Sequence, residues 1–151
     1  MARSTARAAV MQMIYEHLAG GEGGEETLRM VYDELREERA ESAEPVRDDE
    51  PGKADRLFIE KALEGVLAHL DELDEKIADA SRGWAIDRMP KVDLTILRLA
   101  CWEILYEDSI PGSVSINEAV ELANCYSDPE KSGRFINGVL GTILRQKEAE
   151  A

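Results

Sequence analysis

The sequence predicts an all-α fold, a compact bundle of about seven helices. Three features point to it. The stretch from Met89 to Tyr106 is apolar nearly all round. Other segments repeat their apolar residues at three- and four-residue steps, one face each. No stretch of convincing length alternates as a strand would, and no internal repeat is present.

The first helix is expected over Ser4–Leu18, with Ala6, Ala9, Val10, Met13, Ile14 and Leu18 as its buried stripe and Arg7 off it. Gly20, Gly21, Gly23 and Gly24 end it. This run lacks the Gly-Lys-Ser/Thr ending of a phosphate loop, and Glu22, Glu25 and Glu26 would repel phosphate. A second helix is expected over Glu25–Arg39, on the narrow face Leu28, Val31, Tyr32 and Leu35. Residues 40–52 are acidic, hold Pro45 and Pro51, and read as a loop with little to bury. A third helix follows over Ala54–Leu70, in the register Leu57, Phe58, Ala62, Leu63, Val66 and Leu70. A fourth, Asp71–Ala80, rests on Leu73 and Ile77.

Ser81-Arg82-Gly83 breaks the chain before the central helix. There Leu94, Leu97, Cys101, Ile104 and Leu105 keep helical spacing, while Ile96, Leu99, Ala100 and Trp102 fill the other faces. Such a helix belongs inside a bundle. It is too short and, with Asp93, Arg98 and Glu103, too charged to span a bilayer. Pro90 suits its first turn. After the turn Ile110-Pro111-Gly112, Ser115 and Glu118 have the capping-box spacing and place a helix over Ile116–Tyr126. Ser127-Asp128-Pro129-Glu130 reads as the next helix start. In the last helix Phe135, Ile136, Val139, Leu140, Ile143 and Leu144 share a face that an Asn137-Gly138 hairpin would split. Gly138 and Gly141, three apart, suggest close approach of another backbone.

The 151 residues suit one domain, here 1–148, with enough chain to bury a core without staples. The two cysteines, Cys101 and Cys125, form no framework, and Cys101 reads as a small core residue. No apolar signal segment opens the chain, so the expected setting is cytoplasmic. Taken alone, the net charge of −14 argues against an obligate nucleic-acid binder, because phosphate contacts need Lys and Arg. The distribution matters more. Residues 21–80 carry eight bases against twenty acids, whereas residues 131–151 carry four bases against two acids, and residues 1–20 hold Arg3 and Arg7 against Glu16. If the two ends meet they form a cationic patch on an acidic protein; scattered solvated charge is the alternative.

His17 and His69 have no metal-ligand constellation around them, and nothing in the sequence distinguishes pairs such as Asp71/Glu75 and Asp74/Glu75 from solvated surface. No nucleophile elbow, dinucleotide fingerprint or phosphate loop is present. The expectation is a protein without catalysis, metal or cofactor.

Three blocks resemble the NusB transcription antitermination factor family. The first is Arg3, Arg7, Val10, Met11, Gln12, Ile14 and Tyr15. The second runs from Trp84 through Arg88, Met89, Pro90, Asp93, Ile96, Leu97, Arg98 and Ala100 to Glu103, Ile104 and Leu105. The third and most specific is Pro111, Val114 and Ser115-Ile116-Asn117-Glu118-Ala119-Val120-Glu121-Leu122-Ala123, ending in Lys131-Ser132-Gly133-Arg134-Phe135-Ile136-Asn137-Gly138-Val139-Leu140. The order fits almost the whole chain outside residues 40–52 and the C-terminal tail.

The resemblance implies two packed helical subdomains, approximately 1–80 and 81–148. It implies binding of boxA-type single-stranded RNA from ribosomal RNA leaders, together with NusE, a small-subunit ribosomal protein. The complex would join RNA polymerase and suppress premature termination, with no cofactor and no membrane. Carried over by position, Arg3, Arg7, Gln12, Tyr15, Lys131, Arg134 and Phe135 would face RNA: the bases to neutralise phosphate, the aromatics to stack on unpaired bases. Arg88 and Asp93 would face the protein partner, although Asp93 also fits a helix-start acid favoured by the macrodipole. Phe135 also fits a core position, Tyr15 a half-buried one, and Arg7 a plain surface charge. Trp84 and Trp102 read as packing residues. Many relatives have a denser N-terminal arginine cluster, so RNA affinity here is expected to lean on the partner. The other function class left open is a helical protein-interaction module without RNA binding; monomer and homodimer are both open.

Overall fold

A computed structural model describes residues 3–20, 29–30, 33 and 53–150. Among them are six α-helices and no strand: α1 (Arg3–Leu18), α2 (Lys53–Ala68), α3 (Leu70–Ala80), α4 (Lys91–Tyr106), α5 (Gly112–Tyr126) and α6 (Ser132–Glu150). A short 3₁₀ turn, Ile86–Arg88, precedes α4. Of the helix expected over Glu25–Arg39, residues 29, 30 and 33 are described and are helical; the rest of it, and the loop 40–52, lie outside the described residues. The chain divides into two compact units, Met1–Glu64 and Gly65–Ala151. The division falls within α2, upstream of the 80/81 boundary drawn from the sequence.

In the first unit, α1 buries Ala6, Ala9, Val10, Met13 and Ile14 as its periodicity requires, and Met11 with them. Leu18 is exposed, because the helix stops there and Gly20 turns the backbone at φ +99°. On α2 the buried stripe is Phe58, Ile59 and Ala62. Leu57, expected in that register, is 58% exposed. It lies one step of about 100° off the Phe58–Ala62 line.

The second unit is built on α4, whose residues Asp93–Leu97 and Leu99–Ile104 are all buried. They pack against Leu73 and Ile77 of α3, Ile116, Ala119 and Ala123 of α5, and Ile136, Leu140 and Ile143 of α6. Cys101 is fully buried among them, as its core reading requires, and burial pushes its thiol up to about 12. Arg98 reaches α3 and donates from Nε and Nη2 to the two oxygens of Asp74, at 2.7 and 2.9 Å. Asp74, which the sequence alone does not distinguish from solvated surface, is therefore a bidentate partner. At the far end, Lys147 of α6 donates to the carbonyl of Ile104 and to Asp108.

Close helix approach is made at glycines other than those expected. A Cβ on Gly65, in the last turn of α2, would run into the indole of Trp102, and one on Gly112 would lie 2.5 Å from Cδ1 of Leu144. A Cβ on Gly138 would meet nothing within 4 Å, and one on Gly141 only the guanidinium of Arg145, at 3.4 Å. Trp102 is a buried packing residue, as expected.

Two helix starts also differ from the expectation. Pro90 stands at the cap of α4 and not in its first turn; its carbonyl accepts from Leu94 N at 3.0 Å. Pro111 does the same for α5, accepting from Val114 N at 2.9 Å. The helix thus begins at Gly112, where the missing side chain admits Leu144. Ser115 is then inside the helix, buried, and its hydroxyl has no hydrogen-bond partner among the described residues. The local capping-box signal loses to a tertiary contact.

Candidate nucleic-acid interface

In the first unit, the basic and polar positions of α1 divide by burial. Arg3 is exposed, and its guanidinium lies 4.5 Å from the centre of the Phe58 ring. Arg7 lies 5.7 Å from the same ring and is only 3% exposed. Its sequence position suggests a surface charge, and the structure corrects this. The long stem is covered, and the ring faces the charge. Gln12 is half-buried, and Tyr15 is 40% exposed, more open than expected.

In the second unit, the candidate residues gather where α5 hands over to α6. Asp128 organises the turn. Its Oδ1 accepts from the backbone N–H groups of Glu130 and Lys131, at 2.9 and 3.2 Å, and its carbonyl accepts from Ser132 N at 3.0 Å. The acid and Pro129 act one turn before α6 proper, which starts at Ser132. Lys131 and Arg134 are exposed, and Phe135 is half-buried.

Phe135 has a neighbour that the sequence does not foretell. The ring of Trp84 stands 5.9 Å from it, inclined by 60°, and Trp84 is 58% exposed. The expectation for Trp84 is packing. It does not bury itself because it lies outside any helix, one residue after Gly83 at φ +90°. That glycine and the absence of periodicity around Trp84 are the available signals. The pair opens on a cavity of about 330 Å³ lined by Met89, Pro90, Asp93, Asp128, Lys131 and Ser132. A wider polar groove of about 1170 Å³ lies beside it, with Asn117, Asn124, Asn137, Lys131 and Arg134 on its walls. Lys131 borders both. Aromatic faces beside exposed cations suit a polyanion with unpaired rings to stack.

The two residues assigned to a protein partner part company. Arg88, at the end of the 3₁₀ turn, is exposed. Asp93 is 3% exposed and accepts from the hydroxyls of Ser127 and Ser132. It stands in the first turn of α4, where a helix-start acid is favoured, and it lines the cavity beside the Trp84–Phe135 pair. Among the described residues, no group of three or more His, Cys, Asp or Glu is placed to hold a metal ion, and no helix is long and apolar enough to cross a membrane.

The NusB family profile matches residues 4–145. A transcription antitermination protein NusB from Clostridium botulinum (strain Kyoto / Type A2) is 38% identical over 144 residues, covering 95% of this chain and 100% of the relative. Among solved structures, T. maritima NusB superposes with a TM-score of 0.76 at 26% identity, covering 100% of this chain and 99% of that one. A structure of antitermination factors NusB and NusE in complex with dsRNA matches with a TM-score of 0.72 at 26% identity, covering 95% and 96%.

Proposed function

The chain belongs to the NusB family, and from that premise we propose that it is a cytoplasmic, non-catalytic antitermination factor that binds boxA-type RNA together with NusE. The observation that carries the RNA reading is the Trp84–Phe135 pair, open to solvent beside Lys131 and Arg134. Rings of this kind serve unpaired bases, and the two cations serve phosphate. In the first unit, taken by itself, Arg3 and Tyr15 are exposed and Gln12 is half-buried, and each is a further candidate for RNA. Arg7 holds α1 to Phe58, whose ring Arg3 also faces. Arg88 is the exposed residue offered to NusE, and RNA polymerase is engaged through the assembled complex.

Partner dependence follows from charge. The few bases offered to RNA act against a chain of net charge −14, so the protein alone holds RNA weakly and the complex holds it more tightly. Titration of a boxA-type single strand, with and without NusE, tests this. Equal affinity in the two titrations removes the partner from the reading. A duplex of the same sequence is the second arm, because the relative solved with NusE is bound to dsRNA. Tighter binding of the duplex would favour recognition of the backbone over stacking.

A further inference from the structure

The carboxylate of Asp93 lies in the first turn of α4, and its oxygens are divided between two hydroxyls from a different part of the chain. Ser127 Oγ donates to Oδ1, and Ser132 Oγ donates to Oδ2 at 2.8 Å. Ser127 is the residue that caps the end of α5, and Ser132 is the first residue of α6. The two serines therefore bracket the turn Asp128–Lys131, and Asp93 grips both ends of it. The hydroxyl oxygens stand 2.9 Å from each other. With both hydroxyl protons given to the carboxylate, that approach has no proton of its own. It is held by the shared acceptor.

We propose that Asp93 is a positioning residue for RNA binding: through Ser127 and Ser132 it fixes the turn that presents Lys131, Arg134 and Phe135. The proposal rests on the RNA reading given above. Asp128 shapes the turn from within, by its bonds to Glu130 N and Lys131 N. Asp93 sets where that turn stands on the body of the unit. Preorganisation of this kind strengthens binding by removing the cost of ordering the site.

The sign of the effect separates positioning from charge. A negative group near an RNA site repels phosphate, so its removal by itself tightens binding. Removal of a positioning group weakens it. Asparagine at this place can close the same ring. Its Oδ1 accepts from Ser127, its Nδ2 donates to Ser132, and the freed Ser132 proton goes to Ser127. Alanine can do none of this.

The test uses the full chain, Asp93→Asn, Asp93→Ala and the milder Ser132→Ala. Two readouts are taken: affinity for a boxA-type single strand in the presence of NusE, and hydrogen exchange of the backbone amides of residues 131–136. We expect Asp93→Ala to bind RNA about tenfold more weakly, which corresponds to about 1.4 kcal/mol, with faster exchange confined to the turn and the first turn of α6. Asp93→Asn should bind as the parent does or more tightly, with exchange unchanged. Ser132→Ala should fall between them, and serves if Asp93→Ala fails to fold. Tighter binding by a folded Asp93→Ala overturns the proposal, as does an Asp93→Asn variant as weak as alanine or unchanged exchange in both alanine variants. If the parent binds no RNA, the RNA reading fails, and with it the presentation role; the exchange data then still decide whether Asp93 holds the turn.

Discussion

The guanidinium of Arg7 faces the ring of Phe58 across 5.7 Å, and the arginine is buried. A buried arginine with its stem packed is a stability element as much as a charge. We expect Arg7→Ala to lower stability by about 1–3 kcal/mol, the range for reduced packing together with removal of a buried charged group from its partners. Thermal melts should fall by about 2–4 °C per kcal/mol at this chain length. Arg3→Ala, at an exposed site, should leave stability within about 0.5 kcal/mol of the parent. Equal melting of the two variants would show that the burial of Arg7 contributes nothing.

The glycines give a test with opposite signs. Gly138 is interior to α6, and a Cβ there meets nothing within 4 Å. Gly138→Ala should stabilise by up to about 1 kcal/mol through helix propensity alone. Gly65→Ala must displace the indole of Trp102 and should destabilise by about 1–3 kcal/mol, the usual cost of overpacking. Urea unfolding of both variants measures the two effects. A destabilised Gly138→Ala would restore the close-approach role that the sequence suggests for that glycine.

Burial raises the Cys101 thiol from 9.0 to about 12, and desolvation is the main cause. The unfolded chain ionises this thiol first. The stabilising contribution is therefore complete below about pH 9 and is lost as pH rises toward 12. Replacing it by alanine should flatten the fall in stability over that window relative to the parent, even though the cavity lowers stability at neutral pH. In the native protein, a thiol reagent at about pH 8, near the ordinary thiol range, should label the exposed Cys125 and spare Cys101. Rapid labelling of both would contradict the burial.

What the sequence disclosed and what it withheld divide along physical lines. The core of α4 was legible because an all-round apolar helix has one place to go, and Leu73, Ile77, Ile136 and Leu140 were legible from their spacing. The starts of α4 and α5 were displaced because cap signals are local, whereas Gly112 is selected by Leu144, far along the chain. The burial of Arg7 was hidden for the same reason: nothing near it in sequence announces Phe58. In the candidate interface, Lys131, Arg134 and Phe135 could be named from the resemblance. Trp84 could not be paired with Phe135, nor Asp93 with Ser127 and Ser132, because those pairings join segments that only the folded chain brings together.

The remaining prediction separates phosphate neutralisation from stacking. Arg134 and Lys131 are exposed at the start of α6, and Trp84 and Phe135 present rings beside them. Arg134→Ala should weaken RNA binding and flatten its dependence on salt, reducing the slope of log K against log salt by about 0.7 for each phosphate of a single strand that is no longer neutralised. Trp84→Ala should weaken binding by about 1–3 kcal/mol with the slope unchanged, because stacking releases no counterions. Arg145→Ala is the control. It removes the same charge from the same helix, about three turns further on. If it flattens the slope as much as Arg134→Ala, the cations act as a diffuse field and not as a site at the start of α6. If Trp84→Ala changes the slope but not the affinity at low salt, the ring positions a cation and meets no base. Measurement over a series of salt concentrations, with NusE held constant, distinguishes these outcomes.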